Sequence, residues 1–285
     1  MPFRPCGQCP ALSASDSFLV HGSHTHRLQA RAMPSDSTTG LKTWQPVITS
    51  DGSCTLRHPT HKETYHSTFG AVTESNIVFL QNSGVAARLQ AGIPTRILEI
   101  GFGTGLNFLV TADAAERAAS SVEYVAVEIN PVADALLADL LTNNFPNQRP
   151  LINKSIDAVR TFTRQSSSPA DNQPVAAQDP VVLTDFIAFQ LIIGDALTCD
   201  FGSEQFNAVY LDAFSPKNNP DLWATRFLKK LRPALADDAL LASYCVSRRF
   251  RDSLTEAGYD WRKVEGPPGK REVLIAQLNR EPLRD

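Results

Sequence analysis

The sequence predicts an α/β fold: a seven-stranded, mostly parallel sheet with helices on both faces, preceded by a small N-terminal β element. Three observations predict it. Ile97-Leu98-Glu99-Ile100 runs into Gly101-Phe102-Gly103-Thr104-Gly105 and then Leu106-Asn107-Phe108-Leu109, which reads as a buried strand, a tight turn and the start of a helix. One helix and one strand later, Val122-Glu123-Tyr124-Val125-Ala126-Val127-Glu128 is a second apolar strand that ends in an acid. Beyond it, strand-like and helical stretches continue to alternate, the pattern of βαβ units.

A chain of 285 residues holds one large domain with additions. A net charge of −3 excludes an overall polycation, so contact with nucleic acid requires a local basic patch. No apolar run is long enough to span a bilayer, and no membrane partner is expected. Five cysteines fit a reducing compartment rather than a disulfide scaffold. Cys6-Gly7-Gln8-Cys9 has the spacing of metal ligands, but no second pair follows and no metal site is expected.

Residues 1–40 are rich in Ser, His, Arg and Pro and lack a helical or strand period. They read as a disordered extension, or as sequence upstream of a start at Met33; an organellar transit peptide is the functional alternative. Residues 41–94 form the next unit. The Asp51-Gly52 turn between Gln45–Thr49 and Cys54–Leu56 predicts a hairpin. Glu74 to about Gly84 predicts a helix capped by Thr73. Tyr65, His66 and Ser67 fall in a loop that can close over the glycine turn; His66 is equally well a solvated loop residue.

The domain over 95–285 begins with the glycine turn. Its spacing is G-x-G-x-G, not the G-x-G-x-x-G of dinucleotide folds, and it lacks the Lys-Ser/Thr of a phosphate loop. Glu99 would repel a pyrophosphate and suits a cationic or hydroxyl-rich ligand. Glycine leaves no Cβ, so a ligand can lie against the backbone. The pattern resembles the first motif of class I S-adenosylmethionine (SAM) methyltransferases, a Rossmann-like fold. Glu128, at the tip of the second strand, can accept both hydroxyls of a ribose.

Helices are expected over Phe108–Ser120 and Pro131–Leu141, and a flexible polar insertion near 165–185. Phe189–Ile193 is the third strand, followed by Gly194-Asp195-Ala196, where an acid either binds an adenine amino group or caps a helix. Phe206–Leu211 is the fourth, and it runs into Asp212-Ala213-Phe214-Ser215-Pro216-Lys217-Asn218-Asn219-Pro220-Asp221-Leu222-Trp223. In an open parallel sheet, ligands bind beyond the carboxyl ends of the strands where strand order switches, so Asp212 should face the ligand. Ala239–Tyr244, Tyr259–Val264 and Glu272–Gln277 complete the seven strands. Lys217, Arg248, Arg249, Arg251, Lys270 and Arg271 can share one phosphate-binding rim.

Together these stretches resemble the methyltransferase family that completes 5-methylaminomethyl-2-thiouridine in tRNA, comprising free-standing MnmD proteins and the N-terminal domain of bifunctional MnmC. The matches span roughly residues 45–277: Tyr65-His66-Ser67, Glu74-Ser75, Val78-Phe79-Leu80, Glu99 to Phe108, Gly194-Asp195-Ala196, Leu211 to Trp223, and Gly269-Lys270-Arg271-Glu272. The run from Asp212 to Trp223 is far more specific than the glycine turn. Residues 1–40 and 165–185 have no place in the pattern, and with no oxidase domain following, the likeness is to the single-activity form.

The resemblance implies SAM as cofactor and a wobble uridine bearing an aminomethyl group as acceptor, on tRNA. A cytoplasmic location, a separate enzyme supplying the aminomethyl group and a monomer or weak oligomer are expected beside it. By the resemblance, Tyr65, Ser67, Glu99, Gly101, Gly103, Gly105, Asn107, Glu128, Asp195 and Ala196 bind the cofactor. Phe214, Pro216, Lys217, Lys270 and Arg271 meet the substrate, and Asp212 is catalytic. At ordinary acidities a carboxylate is a poor base for an alkylamine, so Asp212 is expected to hold the amine and stabilise the developing ammonium. A transferase acting on a small amine, like spermidine synthase, is the enzymatic alternative, and a degenerate SAM-fold binding module the non-enzymatic one.

Overall fold

The computed structural model describes residues 44–166, 179–203 and 206–279. The expectation for residues 1–40 lies outside them. Strands β1 (Gln45–Ile48) and β2 (Cys54–Arg57) form the predicted hairpin, antiparallel. Its turn builds the start of helix α1 (Ala71–Glu74). Ser53 Oγ accepts from the amides of Ala71 (3.0 Å) and Val72 (3.2 Å), and Asp51 Oδ2 accepts from the amide of Thr73 (3.1 Å). Three free donors of the helix start are thereby satisfied from another element. Thr73 is therefore not the N-cap: it sits inside the first turn, and its hydroxyl donates to Asp51 Oδ2 (2.7 Å).

The expected single helix over 74–84 is also revised. After α1 the chain widens into a π-helix over Ser75–Gln81, Gly84 turns left-handed, and α2 (Val85–Gln90) begins. Val78, Phe79 and Leu80 are buried from the wide turn.

The central sheet has the order β5-β6-β4-β3-β7-β8-β10-β9, with β3 (Thr95–Ile100), β4 (Val122–Glu128), β6 (Ile187–Ile193), β7 (Phe206–Leu211) and β8 (Leu235–Ser243) parallel. β10 (Glu272–Leu278) runs antiparallel between β8 and β9 (Tyr259–Glu265). That accounts for the seven expected strands. An eighth, β5 (Val181–Thr184), adds an antiparallel edge beside β6 with a bulge at Val182–Thr184, a common way of blunting an exposed edge. The 165–185 insertion shrinks accordingly: Gln165 and Ser166 end a helix, 181–184 are strand, and residues 167–178 lie outside the described residues.

Period-two alternation divides each central strand between two cores. Ile97, Tyr124, Ala208 and Tyr210 face one core; Leu98, Val125, Val209 and Leu211 face the other. The first core is covered by α3 (Leu106–Ala118), α4 (Asp134–Asn144) and α5 (Arg149–Ser166), the second by α6 (Thr225–Leu231) and α7 (Arg248–Glu256).

Helix α3 starts at Leu106 rather than Phe108, directly on the left-handed Gly105. Helix α4 lies three residues later than Pro131–Leu141, with Asp134 in its first turn. Its last residue, Asn144, is held by tertiary contact: the side chain accepts from Cys54 N (2.6 Å) and donates to Cys54 O (2.9 Å). Helix α5 has no counterpart in the sequence expectations, although Leu151, Ile152, Ile156, Val159 and Phe162 mark a regular apolar stripe.

Asp51 is desolvated, which raises its pKa, but hydrogen bonds from Ser53, Thr49 and Thr73 outweigh this and hold the carboxyl well below the usual range. A depressed folded-state value gives stability that is present above the unfolded carboxylate pKa and lost as pH falls through the folded one. Asp51→Ala is expected to lower unfolding free energy by about 1–3 kcal/mol at neutral pH, checked by chemical denaturation.

Candidate active site

Chain order in the sheet reverses between β3 and β7, whose last paired residues are Ile100 and Leu211. Gly101 and Asp212 follow them, so both emerge at the switch point where open α/β sheets receive ligands. The two post-strand loops touch. Gly101 has φ +93°, and a Cβ there would stand 2.9 Å from the Asp212 carbonyl oxygen, so only glycine fits. Gly103 has φ +54°, and a Cβ on it would lie 2.7 Å from the Tyr65 ring. The glycine turn is thus the floor on which the N-terminal loop rests.

A cavity of about 750 Å³ opens between that floor and the loop. It is lined by Tyr65, Ser67, Gly101, Gly103, Glu128, Asp195, Ala196, Asp212, Phe214 and Lys270 from the sequence-predicted set. Glu99, Gly105 and Asn107 are buried and do not line it. Pro216, Lys217 and Arg271 do not line it either, and the last two are exposed.

Behind the wall, the Asn107 amide nitrogen donates to both Glu99 Oε1 (2.9 Å) and Asp212 Oδ2 (2.7 Å). Alternation in β3 puts Glu99 on the α3 side of the sheet, and Asn107 stands in the first turn of α3. Burial pushes the Glu99 carboxyl well up; the Asn107 bond opposes this and the Asp212 charge adds to it. Burial likewise raises Asp212 well above the ordinary carboxylate range, and the neighbouring Glu74 charge raises it further. The premise of ordinary acidity for Asp212 is corrected here: its surroundings make it a far better proton acceptor than a surface aspartate.

The remaining predicted residues are arranged as follows. Glu128 Oε2 accepts from the Gly103 amide (2.9 Å) and Oε1 from the Asn130 amide (2.8 Å), which fixes the carboxylate at the tip of β4; burial nonetheless raises its pKa. Asp195 Oδ1 accepts from the Leu197 amide (2.9 Å). The Phe214 ring lies 5.1 Å from Tyr65, 5.2 Å from His58 and 4.9 Å from His61. Trp223 is buried and donates Nε1–H to the Phe214 carbonyl (3.0 Å), pinning the loop after β7 from below. His66 is not a solvated loop residue: it is buried, its pKa is lowered to about 4 chiefly by burial, and its amide donates to Thr55 Oγ1 (3.2 Å).

The proposed basic rim is only partly free. Lys270 turns inward to an ion pair with Glu74, and Arg248 lies 3.8 Å from Asp252. Two site residues escaped sequence reasoning. Glu63 accepts from Ser215 Oγ (2.6 Å) and Asn218 Nδ2 (2.6 Å), tying the N-terminal unit to the loop after β7. Glu74, buried, lines the cavity from α1. Neither acid stands out in the sequence, where the role of a carboxylate is invisible until its partner is placed.

The residues present fit SAM. Gly101 and Gly103 bring backbone without side chains to the cavity wall, and the Asn107 amide oxygen, buried just behind it, has no hydrogen-bond partner. Acids at 128, 195 and 212 suit hydroxyls, an amino group and a sulfonium charge.

Comparison with known proteins agrees. A family described as S-adenosyl-L-methionine-dependent methyltransferase matches residues 169–279. The tRNA 5-methylaminomethyl-2-thiouridine biosynthesis bifunctional protein MnmC of Delftia acidovorans is 34% identical over 223 residues, 76% of this chain and 33% of that protein. Its counterpart in Burkholderia multivorans is 33% identical over 78% of this chain and 33% of its own length. The chain thus spans about a third of the length of these curated relatives. The crystal structure of MNMC2 from Aquifex aeolicus superposes with a TM-score of 0.63 at 24% identity, covering 86% of this chain and 73% of that one, and shares the fold.

The raised Glu99 pKa has a stability consequence. Folding favours the protonated acid, so its contribution is full below the unfolded carboxylate pKa and declines as pH rises towards the folded value. Glu99→Gln keeps an acceptor for Asn107 and removes the charge. Its thermal midpoint is expected to exceed the parent's near pH ~8 and to converge with it near pH ~4; an equal gap at both would refute this account.

Proposed function

We propose that the chain is an S-adenosyl-L-methionine-dependent methyltransferase, as its family match and its similarity to the MnmC proteins support, and that it N-methylates 5-aminomethyl(-2-thio)uridine at the tRNA wobble position. The observation that carries the reading is Asp212: a carboxylate at the switch point, lining the same cavity as the glycine turn and Glu128, and aimed by Asn107. Similarity to the MnmC proteins favours a tRNA acceptor over a free small amine.

In this reading Glu99 and Asn107, with Gly101 and Gly103, hold the methionine end of SAM, Glu128 the ribose, and Asp195 with Ala196 the adenine. Tyr65 and Ser67 close over it. When bound, SAM supplies an electrophilic methyl: the amine lone pair forms the N–C bond as the C–S bond breaks and sulfur leaves as a neutral thioether. The acceptor arrives largely as an ammonium, since alkylamines have a pKa near ~10, and an ammonium has no lone pair to offer. Asp212 takes one proton from it; its raised pKa narrows the mismatch that an ordinary carboxylate would face. Once protonated, Asp212 carries no charge, and its carbonyl oxygen accepts an N–H bond that keeps the amine lone pair in line with the methyl. Phe214, beside Tyr65, offers an aromatic face to the uracil ring, as unstacked RNA bases require.

Pro216, Lys217 and Arg271 would meet tRNA outside the cavity. The aminomethyl group would come from a separate enzyme, and the protein would act in the cytoplasm as a monomer or weak oligomer. No helix among the described residues is long and apolar enough to cross a membrane.

Asp212→Asn preserves shape and removes the proton acceptor. Methyl transfer to undermodified tRNA, followed with tritiated SAM, is expected to fall by about 10²–10³, while SAM affinity by calorimetry changes less than about threefold. Turnover close to that of the parent would remove Asp212 from the mechanism.

A further inference from the structure

Next to Asp212 lies a second carboxylate that the mechanism above leaves without a task. Glu74 ends α1, is only 4% exposed and lines the cavity. Its Oε2 accepts from the Ser67 amide (2.6 Å), and its Oε1 is paired with Lys270 Nζ. That ammonium also stands 4.3 Å from the centre of the Tyr244 ring. Carboxylate on one side and aromatic face on the other is the chemistry that binds a primary alkylammonium. The acceptor's CH₂–NH₃⁺ carries the same head group as lysine. The chain therefore presents an ammonium site filled by its own side chain, close enough to Asp212 that the charges of Glu74 and Lys270 both act on it.

Lys270 is held there less firmly than Glu74. It sits in the β9–β10 turn, directly after Gly269 at φ +84°, and its side chain is 30% exposed against 5% for Glu74. A phosphate arriving at that rim offers the lysine an alternative partner.

We propose that Glu74 and the Tyr244 ring form the subsite for the acceptor amine, and that Lys270 fills it in the free protein and exchanges it for a backbone phosphate when tRNA docks. This rests on the amine-methylating reading. The two carboxylates then divide the work: Glu74 receives the ammonium, and Asp212 accepts its proton and faces the methyl donor. A uridine lacking the amine offers Glu74 no ammonium in exchange for Lys270, so the exchange is less favourable with it.

The test uses the full chain, undermodified tRNA and three variants: Glu74→Gln, Lys270→Met and the double. Glu74→Gln keeps the acceptor for the Ser67 amide. It is expected to lower kcat at saturating tRNA by about 30-fold, with SAM affinity within about threefold, and to bind tRNA more tightly because Lys270 is released. Lys270→Met is expected to reduce the slope of log affinity against log salt by about 0.7–0.9, one phosphate contact, and to raise KM more than it lowers kcat. The double variant should retain the full kcat loss of Glu74→Gln. If Lys270→Met reproduces that kcat loss and the double adds nothing, Glu74 merely anchors the lysine and the subsite is refuted. An unchanged salt slope refutes the exchange. Parent-like kcat in Glu74→Gln, with the parent active, sinks this proposal alone; a parent inactive on undermodified tRNA sinks the underlying reading instead.

Discussion

One side-chain amide joins the two halves of the site. Asn107 donates to Glu99 at the end of β3 and to Asp212 after β7, on either side of the switch in strand order. Two acids brought this close repel, and burial makes each charge costlier. The shared donor makes their approach tolerable, and it does so from the first turn of α3, whose position is set by the glycine turn. The donor cradle, the helix start and the reacting carboxylate are therefore a single construction. A cation entering the cavity would relieve the same repulsion, so the site is electrostatically biased towards positively charged guests.

Much of this was legible in the chain. The apolar run to Glu99, the spaced glycines and the strand ending at Glu128 gave the βαβ unit, because a buried parallel strand leaves a continuous apolar signature and a tight turn demands glycine. The loop after Asp212 was legible because prolines and asparagines interrupt regular structure, which resumes only in the 3-10 turn Pro220–Trp223. Boundaries fared worse where distant contacts overrode local preference. Thr73 looks like an N-cap, yet Asp51 and Ser53, from a hairpin some twenty residues earlier, do that work. Asn144 extends α4 because it pairs with Cys54 in β2.

The charges were the hardest to place. Lys270 in a Gly-Lys-Arg-Glu turn looks like a surface cation, and Glu74 like an exposed residue early in a helix. Only the fold reveals that the two meet across 196 positions of sequence. Likewise the acidity of Asp212 is a property of what surrounds it, not of aspartate, and no spacing rule reports it.

Between Glu74 and the core stands the wide turn over Ser75–Gln81. A π-helical segment behaves as one surplus residue accommodated within a helix whose flanks keep their register. Here it separates Glu74, directed at the cavity, from Val78, Phe79 and Leu80, sunk in the core. A single insertion or deletion in this turn would therefore re-aim the carboxylate relative to its hydrophobic anchor.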